Sequence, residues 1–141
     1  MSNHFSYDRI VNFYETDAAQ IVHFSNYLKY MEEAEVEFLN SVGLTESAQR
    51  TWRRTKIACS FFMPIKFNDV IRVELKVITA ARKFIKYGFT LSVRNRVAAK
   101  AEYESVLVNL PEEVSGAKTE EFNYQFIEVL RGCENENSAC R

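Results

Sequence analysis

One long helical pattern followed by four strand-like segments limits the folds open to this chain. Between residues 26 and 42, apolar side chains recur at steps of three and four residues, the spacing of an amphipathic helix. Alternating segments, typical of strands, lie at 5 to 13, 56 to 67, 70 to 79, 84 to 94 and 97 to 109. The last four are joined by short connections, which favour antiparallel neighbours. Because a sheet that buries one face needs an apolar partner, the sequence predicts an α+β fold with the sheet wrapped on the helix.

The ends of these elements carry signals of their own. Ser25 or Asn26 can cap the first turn of the helix, and Gly43 suits the left-handed conformation just past its last turn. Pro64 predicts a bulge or a sheet edge within its strand, since proline donates no ladder hydrogen bond. Beyond Pro111, apolar spacing predicts a short C-terminal helix that includes Phe122, Phe126, Val129 and Leu130.

The length of the chain indicates one globular domain. A chain of 141 residues is long enough for one core and too short for two of ordinary size, so we expect a single domain over residues 1–132 and a polar, disordered tail over 133–141.

Eighteen basic and nineteen acidic residues give a net charge of -1, which predicts no nucleic-acid partner and no membrane partner. No membrane-spanning run or targeting pattern is apparent, which predicts a cytoplasmic location.

Several kinds of chemistry are not expected. Cys59, Cys133 and Cys140 fit neither a disulfide framework nor a CxxC site, and we interpret them as reduced. His4 and His23 lack acidic ligands at a recognised spacing, so no metal site is predicted. The absence of a glycine-rich phosphate loop and of a G-x-S-x-G motif excludes P-loop, dinucleotide-binding and serine hydrolase readings. Catalysis must then use carboxylates, hydroxyls or backbone dipoles.

Asp17 is the best local candidate for such catalysis. It lies in the long polar connection 14 to 25, which can bring it to the helix N-terminus. Backbone N–H groups there carry partial positive charge and can bind a carbonyl oxygen that becomes an oxyanion. A carboxylate beside them can attack the carbonyl or activate water. From composition and spacing alone, a plainer interpretation is favoured, in which Asp17 closes an Asx-turn.

Two segments carry a family resemblance. Residues 13 to 34, FYETDAAQIVHFSNYLKYMEEA, resemble the signature of the 4-hydroxybenzoyl-CoA thioesterase family of hotdog-fold enzymes, and residues 67 to 74, FNDVIRVE, are similar to a second family segment. The resemblance implies a five-stranded antiparallel sheet around the long helix, in a homodimer with active sites at the subunit interface, often paired into a homotetramer. It also implies hydrolysis of an acyl-CoA thioester, in which coenzyme A is part of the substrate and no cofactor is needed.

The matching positions then imply roles for individual residues. Asp17 would be the catalytic carboxylate, either as nucleophile through a mixed anhydride or as general base, and its ionisation at neutral pH favours the nucleophile. The backbone at His23 and Phe24 would polarise the thioester carbonyl, while the His23 side chain would line the acyl pocket or its rim. Tyr27 and Glu32 fall on substrate-binding helix positions, with core packing and a solvated face as their respective alternatives.

Basic residues supply candidate contacts for the CoA phosphates. Arg82 and Lys83, with Lys86 beyond them, lie at a turn where the resemblance implies phosphate binding, and residues 53 to 56 form a second basic cluster. Ordinary surface charge is the alternative for each.

The chain departs from the family pattern at Gln20, where glycine is usual, and at Glu35, where arginine is common. Gln20 puts the loop geometry in question, since glycine tolerates backbone angles that glutamine resists.

The predicted substrate is an aromatic acyl-CoA, such as 4-hydroxybenzoyl-CoA or 1,4-dihydroxy-2-naphthoyl-CoA. Aliphatic acyl groups and thioesters of acyl carrier protein stay open. One alternative is a hotdog protein that binds an acyl thioester without cleaving it. Another is a hotdog dehydratase, which would use His23 together with a carboxylate.

Overall fold

The computed structural model describes residues 4–43, 52–81, 83–107 and 131 of the chain. Its elements, in chain order, are β1 (His4–Ile10), a short 3₁₀ helix (Phe13–Glu15), α1 (Ser25–Ser41), β2 (Trp52–Phe61), β3 (Val70–Ala81), β4 (Phe84–Val93) and β5 (Arg96–Leu107). The five strands form one antiparallel sheet in the order β1-β3-β4-β5-β2. The predicted α+β architecture is confirmed.

The core lies between α1 and one face of the sheet. Alternate residues are buried from Ile71 to Val77 in β3 and throughout β4, as their period of two predicts. On the helix, Tyr30, Met31, Ala34 and Phe38 are at most 1% exposed. The Phe38 ring packs edge-on against Tyr87, with the ring centroids 6.4 Å apart. Burial of each large apolar side chain contributes about 1.5–3 kcal/mol, so this layer anchors the helix on the sheet.

Three irregularities bend the sheet. The register shifts between Val77 and Thr79 in β3, between Leu91 and Ser92 where β4 meets β5, and between Arg54 and Lys56 in β2. An extra residue in one strand of an antiparallel pair bends that strand and increases its twist. These shifts therefore help the sheet to curve.

The structure corrects the predicted helix start. Phe24, and not Ser25 or Asn26, occupies the N-cap position, and its side chain has no atom that could accept a capping hydrogen bond. Asn26 instead donates its side-chain amide to the carbonyl oxygen of Glu15, at 2.8 Å. At the other end, Gly43 has a φ of +79°, so the predicted left-handed conformation is confirmed.

Several predicted strand ends were also wrong. β1 stops at Ile10 because a capping box between Asn12 and Glu15 begins the 3₁₀ helix. β2 stops at Phe61, three residues before Pro64, so this proline makes no bulge inside the strand, although β2 does lie at an edge of the sheet as predicted. The chain turns there because the amides of Phe62 and Met63 both donate to the carbonyl oxygen of Ala98.

The predicted C-terminal helix around Phe122 to Leu130 and the predicted tail over 133–141 lie outside the described residues. Arg131, which is described, donates from its Nε to the carbonyl oxygen of Ala80, at 3.2 Å. No helix within the described ranges is long and apolar enough to cross a membrane.

Candidate active site

Residues 15–23 form a small hairpin, here called the Asp17 hairpin. Its base is closed by the amide of His23, which donates to the carbonyl oxygen of Glu15 at 3.0 Å, and by pairing of Thr16 with Val22. Towards the tip, the Asp17 amide donates to the Ile21 carbonyl oxygen at 2.9 Å. These bonds hold the backbone of Asp17 in one place at the start of α1.

The returning arm of the Asp17 hairpin is docked on the segment that precedes β3. Val22 donates its amide to the carbonyl oxygen of Ile65 at 2.8 Å, and Ile21 pairs with Lys66. Ile65 is fully buried, so this contact ties the hairpin to the core. The family-like segment 67 to 74 begins directly after it.

The Asp17 side chain is exposed, and one of its two carboxylate oxygens is hydrogen-bonded. Its Oδ1 accepts the amide of Ala19 at 2.8 Å, which is the geometry of an Asx-turn. Its Oδ2 has no partner among the described residues. The plainer interpretation of Asp17 is thus present in the structure, and one carboxylate oxygen stays open to a bound molecule.

Gln20 has a φ of +64°. In this left-handed region a side chain costs roughly 1 kcal/mol that glycine does not incur. The departure from glycine is thus a source of strain at the tip of the hairpin that carries Asp17. The chain keeps the turn despite it, because Gln20 donates its amide to the Asp17 carbonyl oxygen at 2.9 Å.

The backbone amides of residues 23 to 25, at the start of α1, differ in whether they are hydrogen-bonded. The His23 amide donates to Glu15, so it is not available to a substrate in this structure. Ser25 donates its amide to the Nδ1 atom of His23 at 3.3 Å. The Phe24 amide has no acceptor within the described part of the chain. Of the two predicted polarising groups, the one at Phe24 is free, at the helix end where partial positive charge accumulates.

The His23 side chain belongs to this helix start. Its Nδ1 accepts the Ser25 amide at 3.3 Å and lies 2.7 Å from the Ser25 hydroxyl oxygen. The ring is exposed and lies over Phe24, with centroids 4.4 Å apart. Among the described residues, no carboxylate contacts His23. The histidine acts here as a cap for α1.

Aromatic side chains lie next to this helix start. Tyr27, predicted to bind substrate, is 4% exposed, and burial raises its pKa. Its ring packs edge-on against Phe61, with centroids 4.9 Å apart. Phe61 and the adjacent Phe62 are 51% and 60% exposed, and Phe24 is 66% exposed. Tyr27, three residues after Phe24, thus joins the beginning of α1 to the exposed Phe61.

The other predicted contacts are exposed, paired, or outside the described residues. Glu32 is exposed on α1, and Lys83 is exposed in the turn between β3 and β4. Arg82 lies outside the described residues. Lys86 pairs with Glu102, at 3.2 Å between Nζ and Oε2. The described residues contain no group of three or more His, Cys, Asp or Glu side chains that could hold a metal ion.

A family model described as the Thioesterase-like superfamily matches residues 11–127. The chain belongs to this superfamily. The match includes the Asp17 hairpin, α1 and the sheet from β2 to β5.

Relatives with solved structures or curated names support the same family for this thioesterase-like chain. A protein of solved structure from Aquifex aeolicus is 33% identical, with a TM-score of 0.69 over 78% of this chain and 95% of that one. An acyl-CoA thioesterase from Haemophilus influenzae is 25% identical over 130 residues, which span 83% of this chain and 96% of that protein. The structure of a 1,4-dihydroxy-2-naphthoyl-CoA thioesterase from Synechocystis is 25% identical, with a TM-score of 0.71 over 77% of this chain and 85% of that one. The predicted family, hotdog fold and enzyme class, a thioesterase, are confirmed.

Glu15 is a feature of this thioesterase-like chain that sequence reasoning missed. It is 1% exposed, although Phe13 and Tyr14 before it are 67% and 75% exposed. Burial alone would raise the pKa of its carboxyl group, but the Asn12 amide, Lys29 and Arg9 outweigh burial and hold that pKa below its ordinary value. The Asn12-x-x-Glu15 spacing of a capping box was the available sequence signal.

The second departure from the family pattern, Glu35, is also buried, at 7% exposure. Both its oxygens accept from the Arg54 guanidinium, at 2.7 and 3.1 Å. Arg54 also donates to the Ser105 hydroxyl at 3.1 Å, and it lies over the Tyr103 ring at 4.5 Å. Arg54, part of the second basic cluster proposed for CoA, is therefore engaged inside the fold.

Proposed function

We propose that this chain hydrolyses acyl-CoA thioesters, with Asp17 as the nucleophile and the Phe24 amide as the group that polarises the carbonyl. The observation that carries the proposal is the Asp17 hairpin. Asp17, two residues after Glu15 in this hairpin, keeps an open carboxylate oxygen, and Phe24, directly after the base bond from His23 to Glu15, keeps a free amide. A carboxylate and an unused helix-terminal amide are the two groups that acyl transfer requires.

The chemistry proceeds in two steps. The open oxygen of Asp17 attacks the thioester carbonyl carbon, and the Phe24 amide stabilises the negative charge that develops on the carbonyl oxygen. The carbon–sulfur bond then breaks, CoA leaves as a thiolate that takes a proton from water, and a mixed anhydride with Asp17 is formed. Water cleaves the anhydride, which releases the free acid and restores the Asp17 carboxylate, and the proton given up in this step neutralises the hydroxide left when the thiolate was protonated.

An aromatic acyl group is supported by the surface beside the helix start. Phe24, Phe61 and Phe62 are each more than half exposed there, and Tyr27 packs behind Phe61. A flat ring can stack on or against such side chains. The relatives from Haemophilus influenzae and Synechocystis are named as enzymes that act on CoA thioesters, which supports CoA as the carrier. Lys83, with Arg82, is proposed to bind the CoA phosphates.

A homodimer, paired further into a homotetramer, belongs to the same proposal. β2 pairs only with β5 within the described residues, so its other edge offers unpaired backbone groups to a second copy. Ile57 on this strand is 42% exposed, and Phe61 at its end is 51% exposed. Light scattering on the purified protein tests the assembly. A monomer at micromolar concentration would contradict it. The cytoplasmic location stays a prediction.

A protein that binds acyl thioesters without cleaving them is the second candidate. The Asx-turn at Asp17 favours it, because one carboxylate oxygen already has a structural role. The two candidates differ in whether thiol is released.

The test is release of free thiol from a panel of 4-hydroxybenzoyl-CoA, 1,4-dihydroxy-2-naphthoyl-CoA, benzoyl-CoA and short aliphatic acyl-CoAs. The proposal expects turnover, with the aromatic esters hydrolysed fastest. Preference for an aliphatic ester would contradict the aromatic assignment alone. Binding of the esters without thiol release would favour the second candidate. Release from acyl carrier protein thioesters only would make the carrier protein the substrate.

A further inference from the structure

Glu15 joins three parts of the fold through its carboxylate. Oε2 forms a short ion pair with Arg9 Nη2 of β1, at 2.7 Å, and a longer one with Lys29 Nζ of α1, at 3.2 Å. Oε1 accepts the amide of Asn12, in the turn between them, at 2.8 Å. A carboxylate that is only 1% exposed is costly to bury unless it is paired in this way.

The backbone of Glu15 holds the beginning of α1. Its carbonyl oxygen accepts both the His23 amide, at 3.0 Å, and the Asn26 side-chain amide, at 2.8 Å. Asp17 follows Glu15 by two residues, and Phe24 follows His23 by one. The relative placement of Asp17 and the Phe24 amide therefore depends on where Glu15 is held.

We propose that Glu15 is a positioning residue that holds Asp17 in register with the Phe24 amide. The proposal rests on the proposed function of Asp17, and it adds a residue that touches neither the substrate nor the reacting atoms. If the carboxylate loses its charge, Lys29 loses its acidic partner, and Arg9 keeps only Glu33, at 3.2 Å. The base of the Asp17 hairpin is then free to shift relative to β1 and α1.

Glu35 provides a matched control, because the structure contains a second buried carboxylate with an arginine partner. Glu35 is 7% exposed and paired with Arg54, so its removal also leaves a buried cation without its anion. It makes no hydrogen bond or ion pair with the Asp17 hairpin among the described residues. A purely structural effect of losing a buried carboxylate should therefore appear equally in both variants.

The experiment compares Glu15→Gln with Glu35→Gln in two measurements at a temperature where both are folded. The first is steady-state hydrolysis of the best acyl-CoA. We expect Glu15→Gln to lower kcat roughly 10- to 100-fold with KM close to that of the wild type, because small misplacement of a reacting group costs rate more than binding. Glu35→Gln should keep the kcat of the wild type. Equal kcat values in the two variants would overturn the proposal.

The second measurement is amide hydrogen exchange at Asp17 and His23 by NMR, which needs no activity. Their protection should fall in Glu15→Gln and not in Glu35→Gln, relative to a core amide such as that of Leu75. Unchanged protection in Glu15→Gln would overturn the positioning role even if the wild type proves to be a thioesterase. Conversely, lost protection in a protein that cleaves no thioester would reject the proposed function and leave the hairpin role standing.

Lys29→Met keeps the test decisive if Glu15→Gln does not fold. The Lys29 side chain is 45% exposed, so its loss is tolerated more easily than that of a buried carboxylate. It removes one of the two cations that hold Glu15. A smaller loss of kcat, with the same loss of protection at Asp17, would support the proposal. Wild-type values for both would overturn it.

Discussion

Glu35 and Arg54 form a largely buried ion pair, so the loss of either partner alone should be costly. Removal of one partner from a fully buried ion pair costs about 3–5 kcal/mol, because the other charge stays buried without compensation. The Arg54 side chain is 28% exposed, which reduces that penalty by hydration. We therefore expect Glu35→Gln and Arg54→Met each to lower the free energy of unfolding by roughly 2–3 kcal/mol. For a chain of this size, that corresponds to a fall in Tm of roughly 6–12 °C.

The double variant decides whether the pair itself is responsible. With neither charge left, the buried groups no longer lack a partner, so the double variant should lose clearly less than the sum of the single losses. The assay is urea unfolding of the four proteins at one fixed protein concentration, because assembly would make stability concentration-dependent. We expect a coupling energy above about 1 kcal/mol. A coupling energy within about 0.5 kcal/mol of zero would refute the reasoning, since the two side chains would then act independently.

Three further changes test local features of the fold. Gln20→Gly should raise the free energy of unfolding by a few tenths to about 1 kcal/mol, because φ is +64° there; a clear loss in thermal unfolding would argue against strain. Gly43→Ala should lower it by about 1 kcal/mol because φ is +79°; the added Cβ would meet no described neighbour within 4 Å, so the loss comes from the backbone conformation alone, and an unchanged Tm would contradict this. The pKa of Glu15 is lowered from 4.5, so its contribution to stability is complete above about pH 4.5 and is lost as the pH falls through the folded value. In urea titrations over roughly pH 3 to 6, Glu15→Gln should flatten this dependence, and an unchanged slope would count against it.

Much of the fold could be predicted because burial follows local periodicity. From Ile71 to Val77 in β3, and throughout β4, every second residue is buried, so the alternation in the sequence is the alternation in the structure. Gly43 was predictable for the same reason, since its backbone conformation is a local property. Pro64 was misleading because the strand ends for a different cause, the turn made by Phe62 and Met63 on Ala98.

The site was less predictable because its contacts join distant parts of the chain. Glu15 is held by Lys29, which lies fourteen residues away, and its carbonyl oxygen accepts from Asn26, eleven residues away. Glu35 pairs with Arg54 across nineteen residues. No local pattern states which acidic side chain will be buried with which cation. The cap of α1 shows the same limit, since it comes from the His23 ring and not from the expected hydroxyl or amide side chain.

The Asp17→Asn variant, with Asp8→Asn as its control, tests the central claim most directly. Both replacements exchange an exposed aspartate for a neutral side chain of the same shape, and Asp8 pairs with Arg72 on the two strands β1 and β3. Thiol release and binding of the same acyl-CoA are measured for each protein. We predict that Asp17→Asn binds the ester like the wild type and loses about 10³-fold or more in kcat, while Asp8→Asn keeps full activity. An Asp17→Asn protein that hydrolyses the ester at the wild-type rate would contradict the claim that Asp17 is the catalytic carboxylate.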